Sequence, residues 1–104
     1  MAFDSAETLE NMANAVRDVV ASDWPKVRSC VERALKDQEE ALKEIAATRL
    51  ENELTDEEMK SELEDEKKTF EAALLACEVR AKAMAQQAAN AAFQVLEQAI
   101  KVAL

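Results

Sequence analysis

Glycine, histidine and tyrosine are absent from this chain, and proline occurs once in 104 residues. Without glycine, the tight turns of hairpins and Rossmann-type loops are nearly unavailable. No P-loop or dinucleotide fingerprint can be written either. Without histidine, the commonest general base, metal ligand and near-neutral pH switch is missing. Aromatics are 4% although hydrophobic residues reach 49%, a balance that suits helices and not strands. No run of about 18 apolar residues occurs, so no transmembrane helix is expected. The opening Met-Ala-Phe-Asp-Ser-Ala-Glu has neither a basic n-region nor an apolar h-region. No signal peptide is therefore read there, and a cytoplasmic location is the expectation. The length suits a single domain over 1–104.

Cations are few: 13 against 22 acids, for a net charge of −9. Nucleic-acid backbone is a poor partner for such a chain, because phosphate binding needs clustered cations. A basic protein surface suits it better. The charge is concentrated. Residues 51–71 hold 10 acids and 3 lysines, so most of the excess lies in one segment.

Helix signals cover nearly the whole chain. Asp4 stands three residues before Glu7 at capping-box spacing, and Leu9, Met12, Val16 and Val20 follow at helical steps. This spacing predicts a first helix over about 5–22. Asp23 and Pro25 then suit a cap and a first turn, opening a second helix over about 24–52. Thr55-Asp56-Glu57-Glu58 is a capping box with acids where the helix dipole favours them. No breaker follows, so a third helix is expected over about 56–103, roughly 70 Å at ~1.5 Å per residue. The architecture expected is all-α: two long antiparallel helices and a shorter N-terminal one.

The width of the apolar face varies along the third helix. From 59 to 84 the apolar residues keep within about 80° of helical arc, a coiled-coil-like seam for one neighbour. From 88 to 104 the arc widens to about 220°, which requires two or more neighbours. Residues 45–70 are therefore expected to form an acidic helical-hairpin arm. Glu57, Glu58, Glu64 and Asp65 are its candidate partner-binding residues. The wide face is expected to need a second copy, with Ala88, Ala89, Ala92, Phe93, Leu96 and Ile100 at a homodimer or higher-order interface. A compact monomer, broken near 84–90, is the competing arrangement. Gln86, Gln87, Asn90, Gln94 and Gln98 form an uncharged polar stripe suited to an interface margin.

Candidate chemistry is sparse. Glu39, Glu40, Glu44, Glu58 and Glu62 evoke a di-iron bundle, but the Glu-x-x-His pairs of such sites cannot be made without histidine. No metal or cofactor is expected, and no catalytic residue is assigned. Cys30 and Cys77 belong to no C-x-x-C pair. Folding the hairpin about residue 54 sets 30 opposite 78, but Cys30 lies at the edge of its apolar arc. The two are expected as free, largely buried thiols, with a redox staple as the alternative. Trp24, the single tryptophan, is expected to anchor the bend between the first two helices or to wall a pocket there.

These features together describe a non-enzymatic, self-associating interaction module: an adaptor, an assembly subunit or a small regulator. A lipid- or granule-surface protein using its amphipathic C-terminal helix is the first alternative. A small-ligand-binding bundle is the second.

Overall fold

A computed structural model describes residues 3–79 and 81–104. The protein is all-α. Helix α1 spans Ser5–Val20, α2 Trp24–Leu50, α3 Asp56–Ala76 and α4 Lys82–Ala103. A single 3-10 turn, Ala21–Asp23, joins α1 to α2.

Three of the four helix starts are set by local side chains. The Asp4 carboxylate accepts the Glu7 backbone N–H at 3.0 Å. Pro25 occupies the first turn of α2, where a missing N–H costs nothing. At α3, the Thr55 hydroxyl accepts the Glu58 N–H at 3.1 Å while the Glu58 carboxylate accepts the Thr55 N–H at 2.9 Å. That exchange satisfies two backbone donors which a helix start otherwise leaves unpaired. It holds the Glu58 carboxyl below its ordinary value, through the Thr55 N–H first and the Thr55 hydroxyl second. A group with a lowered folded pKa contributes stability above its unfolded pKa and loses it as pH falls through the folded one. Thr55→Ala removes the hydroxyl that accepts the Glu58 N–H and should cost about 1 kcal/mol at neutral pH. In thermal melts this difference should change little with pH, because the substitution keeps the backbone N–H that the Glu58 carboxylate accepts; it is the contribution of Glu58 itself that falls away on acidification below the usual carboxylate range. Glu57→Gln, at an exposed site, is the control and should shift stability within about ±0.5 kcal/mol.

The expectation of one helix over 56–103 is corrected. The chain leaves α3 at Cys77, and Glu78 takes a left-handed φ of 70°. The Val79 N–H reaches back to the Leu74 carbonyl at 3.1 Å and the Glu78 N–H to that of Leu75 at 3.1 Å, a Schellman-type ending made without glycine. Val79 is then buried. The break falls earlier than the 84–90 of the compact alternative.

This corner turns α4 back along α3. Helices α2 and α3 run in opposite directions, with Cys30 joined to Cys77 at one end and Gln38 reaching Glu66 further along. The start of α1 lies beside the end of α4, where Phe3, Asp4 and Thr8 share a groove with Ile100 and Leu104. Each helix thus packs against two neighbours, α1 against α2 and α4, and α3 against α2 and α4. The result is a four-helix bundle of 39 × 23 × 19 Å, as long as a 27-residue helix at ~1.5 Å per residue.

Residues 45–70 are consequently not a free-standing arm. Met59 and Leu63 are buried in the common core, and Leu63, Glu64 and Lys67 share a groove with Asn90, Phe93 and Gln94 of α4. The wide apolar face of α4 is likewise covered within one chain. Ala88, Ala89, Ala92, Phe93, Leu96 and Ile100 are each no more than 3% exposed. Placing them at an oligomer interface is corrected: a break at Cys77 returns α3 as a second neighbour, and α1 and α3 together fill the arc. Phe70 and Phe93 meet there with ring centroids 6.0 Å apart.

The cysteines also differ from expectation. Cys30 and Cys77 form a disulfide, Cα atoms 5.7 Å apart, across 47 residues. Cys77 is the residue that ends α3, so it sits at the corner and not within a helical seam. Cys30 is exposed and Cys77 buried.

Candidate functional site

One end of the bundle gathers the start of α1, the end of α2, the start of α3 and the end of α4. An open groove of about 1190 Å³ lies there. Its apolar wall includes Phe3, Met59, Val95 and Ile100. Val102 and Leu104, two of the three exposed large hydrophobic residues among those described, stand at its edge. The groove also contains Arg49, in the last turn of α2, where a cation suits the helix dipole.

Arg49 is the unusual member. Its Nε is buried and has no hydrogen-bond partner among the described residues. The ion pair found among the groove's described residues involves another cation, Lys60 with Asp56 at 3.3 Å. A buried polar atom without a partner is costly, more so on a charged group, and calls for an explanation in a native fold. A guanidinium can hold a carboxylate through two parallel N–H donors; the groove that Arg49 borders combines its apolar residues with the carboxylates of Asp4, Glu7, Asp56 and Glu97 and the ammonium groups of Lys60 and Lys101.

A smaller groove of about 370 Å³ runs between α1 and α2 beside half-buried Trp24. It holds Arg17, Arg28 and Lys36, but each is already paired: with Asp18 at 3.6 Å, Glu32 at 3.5 Å and Glu39 at 3.5 Å. It presents no orphaned group.

The other residues singled out in the sequence are distributed as follows. Glu57, Glu58, Glu64 and Asp65 are exposed along the first half of α3. Two of the four carboxylates are engaged locally, Glu58 in the capping box and Glu64 with Lys67 at 2.9 Å. The Lys67 ammonium holds the Glu64 carboxyl below its ordinary value. Gln86, Gln87, Asn90, Gln94 and Gln98 are all exposed, and Gln94 and Gln98 border the large groove. The polar stripe thus adjoins a candidate interface at its C-terminal end. Arg49 and Phe3 carry no sequence signal as site residues; they matter because four helix ends converge.

Among the described residues, no three acidic, cysteine or histidine side chains are grouped to hold a metal, and no helix is long and apolar enough to cross a membrane. Comparison with protein-family models, with curated proteins and with solved structures finds no match for this chain. The fold and groove define a small disulfide-bonded helical bundle with one open amphipathic end.

Proposed function

We propose that the protein is a non-enzymatic interaction module whose open end docks an apolar, carboxylate-bearing helical segment of a partner protein. The observation that carries this reading is Arg49, which lines the groove with Phe3, Met59, Val95 and Ile100 and whose buried Nε has no partner among the described residues. Apolar anchors supply the area of a helix-in-groove interface. A single acid on the incoming helix satisfies the guanidinium and fixes register. The groove has room for side chains from successive turns of such a helix, and the amides of Gln94 and Gln98 supply hydrogen bonds at its rim.

The surface-association alternative lacks comparable support, because the apolar face of α4 that it would use is buried. The cytoplasmic expectation rests on the absence of a signal-peptide pattern in the opening residues. A structural disulfide instead favours an oxidising compartment, and this reading places the module in one.

Site-specific photocrosslinking in producing cells tests the docking reading. A photoreactive residue at Gln98, on the groove, should capture one discrete species, whereas the same residue at Glu40, exposed on α2, should not. Arg49→Met should weaken that capture at least tenfold, since losing a buried charge-assisted pair costs more than about 1.4 kcal/mol. Equal capture from both positions, or capture indifferent to Arg49, defeats the proposal.

A further inference from the structure

The three connections between helices are built differently, and the last is the least supported by its own sequence. Between α1 and α2, Ala21 has a φ of 51°, but Pro25 forbids a helix running through. Between α2 and α3, the left-handed residue is Asn52, φ 60°, a residue type that tolerates this conformation. The Thr55 capping box then closes the turn. Between α3 and α4 there is no proline, glycine or asparagine. Glu78 is held at φ 70°, which an L-residue with a Cβ adopts at a cost. Ala81, at the start of α4, offers no capping side chain, so among the described residues the first N–H groups of that helix have no N-cap acceptor. Local preference over 56–103 is helix throughout, and only tertiary burial of Val79 and the α4 face imposes the corner. Such a conflict between local and global preference marks a weak point of a fold.

We infer that the α3–α4 corner is a domain-swap hinge and that a second copy of this chain is the partner: the corner straightens, and α4 packs against α1 and α3 of the other protomer. Every contact of Ala88, Ala92, Phe93, Leu96 and Ile100 with α1 and α3 is remade across the two chains. The forms then differ mainly at the hinge and in the association entropy. Straightening removes the left-handed Glu78 and gives the first turn of α4 intrahelical partners. It makes one helix of roughly 70 Å at ~1.5 Å per residue. Both cysteines precede Glu78, so the disulfide stays within each chain in either form. Short hinges under strain are the recurrent setting for such exchange. The inference is independent of the groove reading, because the swap rebuilds the same bundle end from two chains.

The test is size-exclusion chromatography with light scattering, without reductant, after incubation at millimolar concentration and gentle warming. The parent should yield a species of twice the 11.5 kDa chain mass. It should persist for hours after dilution, because separating swapped chains requires opening the bundle. Glu78→Gly should lower the dimer association constant roughly tenfold or more, because glycine relieves the closed corner and weakens the open helix. Glu78→Ala should leave it at or above the parent value. Three results overturn the inference: a single 11.5 kDa species for both parent and Glu78→Ala, a dimer indifferent to Glu78→Gly, or a dimer that dissociates at once on dilution.

Discussion

Reduction of Cys30–Cys77 should lower the unfolding free energy by about 4 kcal/mol, the chain-entropy value for a cross-link closing a loop of this length. Total stabilities are commonly only about 5–15 kcal/mol, so the loss is a large fraction of the fold. For a domain of this size it corresponds to a fall in Tm of about 15 °C or more. The position of the bond explains the size of the effect. It joins the first turns of α2 to the end of α3, while the Asn52 turn joins the other ends of the same helices. The pair becomes a closed ring, and the unfolded chain loses the freedom of every residue in it. Cys30 is exposed, so dithiothreitol should reduce the bond without denaturant. Cys30→Ser should reproduce the reduced melting curve, since the new hydroxyl is solvated and only the tie is lost. Calorimetry with and without reductant, together with thiol titration of protein purified without reductant, decides the matter. Two free thiols in that protein, or an unchanged Tm on reduction, would refute the expectation.

The features legible in the sequence are those whose cause lies within a few residues. Asp4 with Glu7, and Thr55 with Glu58, are capping pairs in which both partners sit on one turn, and Pro25 marks the first turn of α2, so composition and spacing suffice to place three of the four helix starts. The fourth, at Lys82, has no capping side chain. The preceding corner bends because Val79 and one side of α4 find neighbours far away in the chain. The sequence shows that α4 needs several neighbours, but not that they come from the same chain. Register arithmetic brings 30 close to 77. What it cannot supply is the approach of the two Cα atoms to 5.7 Å, closer than helix axes usually pack. Arg49 is invisible for a similar reason: an arginine in a last helical turn is ordinary, and its isolation arises only where four helix ends converge.

Phe93→Ala should destabilise the protein by about 3–5 kcal/mol, and Phe93→Glu should abolish the fold at ordinary temperature. Phe93 is 3% exposed and its ring meets Phe70, itself fully buried, at the centre of the bundle. Truncating a buried phenylalanine loses its transfer free energy and leaves a cavity that a close-packed core fills poorly. A glutamate there puts a charge into the core that holds Leu63, Phe70 and Leu74, where the cation of the adjoining groove, Lys67, already pairs with Glu64. Burial without a partner then costs several kcal/mol more. The concentration dependence separates the core role of Phe93 from the interface role first assigned to it. A core residue lowers Tm by the same amount at all protein concentrations where the monomer dominates. An interface residue would act through association, so its effect would vanish on dilution. A double-mutant cycle with Phe70→Ala sharpens the test: residues in contact share a coupling energy of about 0.5–1.5 kcal/mol for an aromatic pair. In the isolated 11.5 kDa species that coupling exists only if both rings belong to one folded chain, so strictly additive losses for the two substitutions would place Phe93 outside the monomer core.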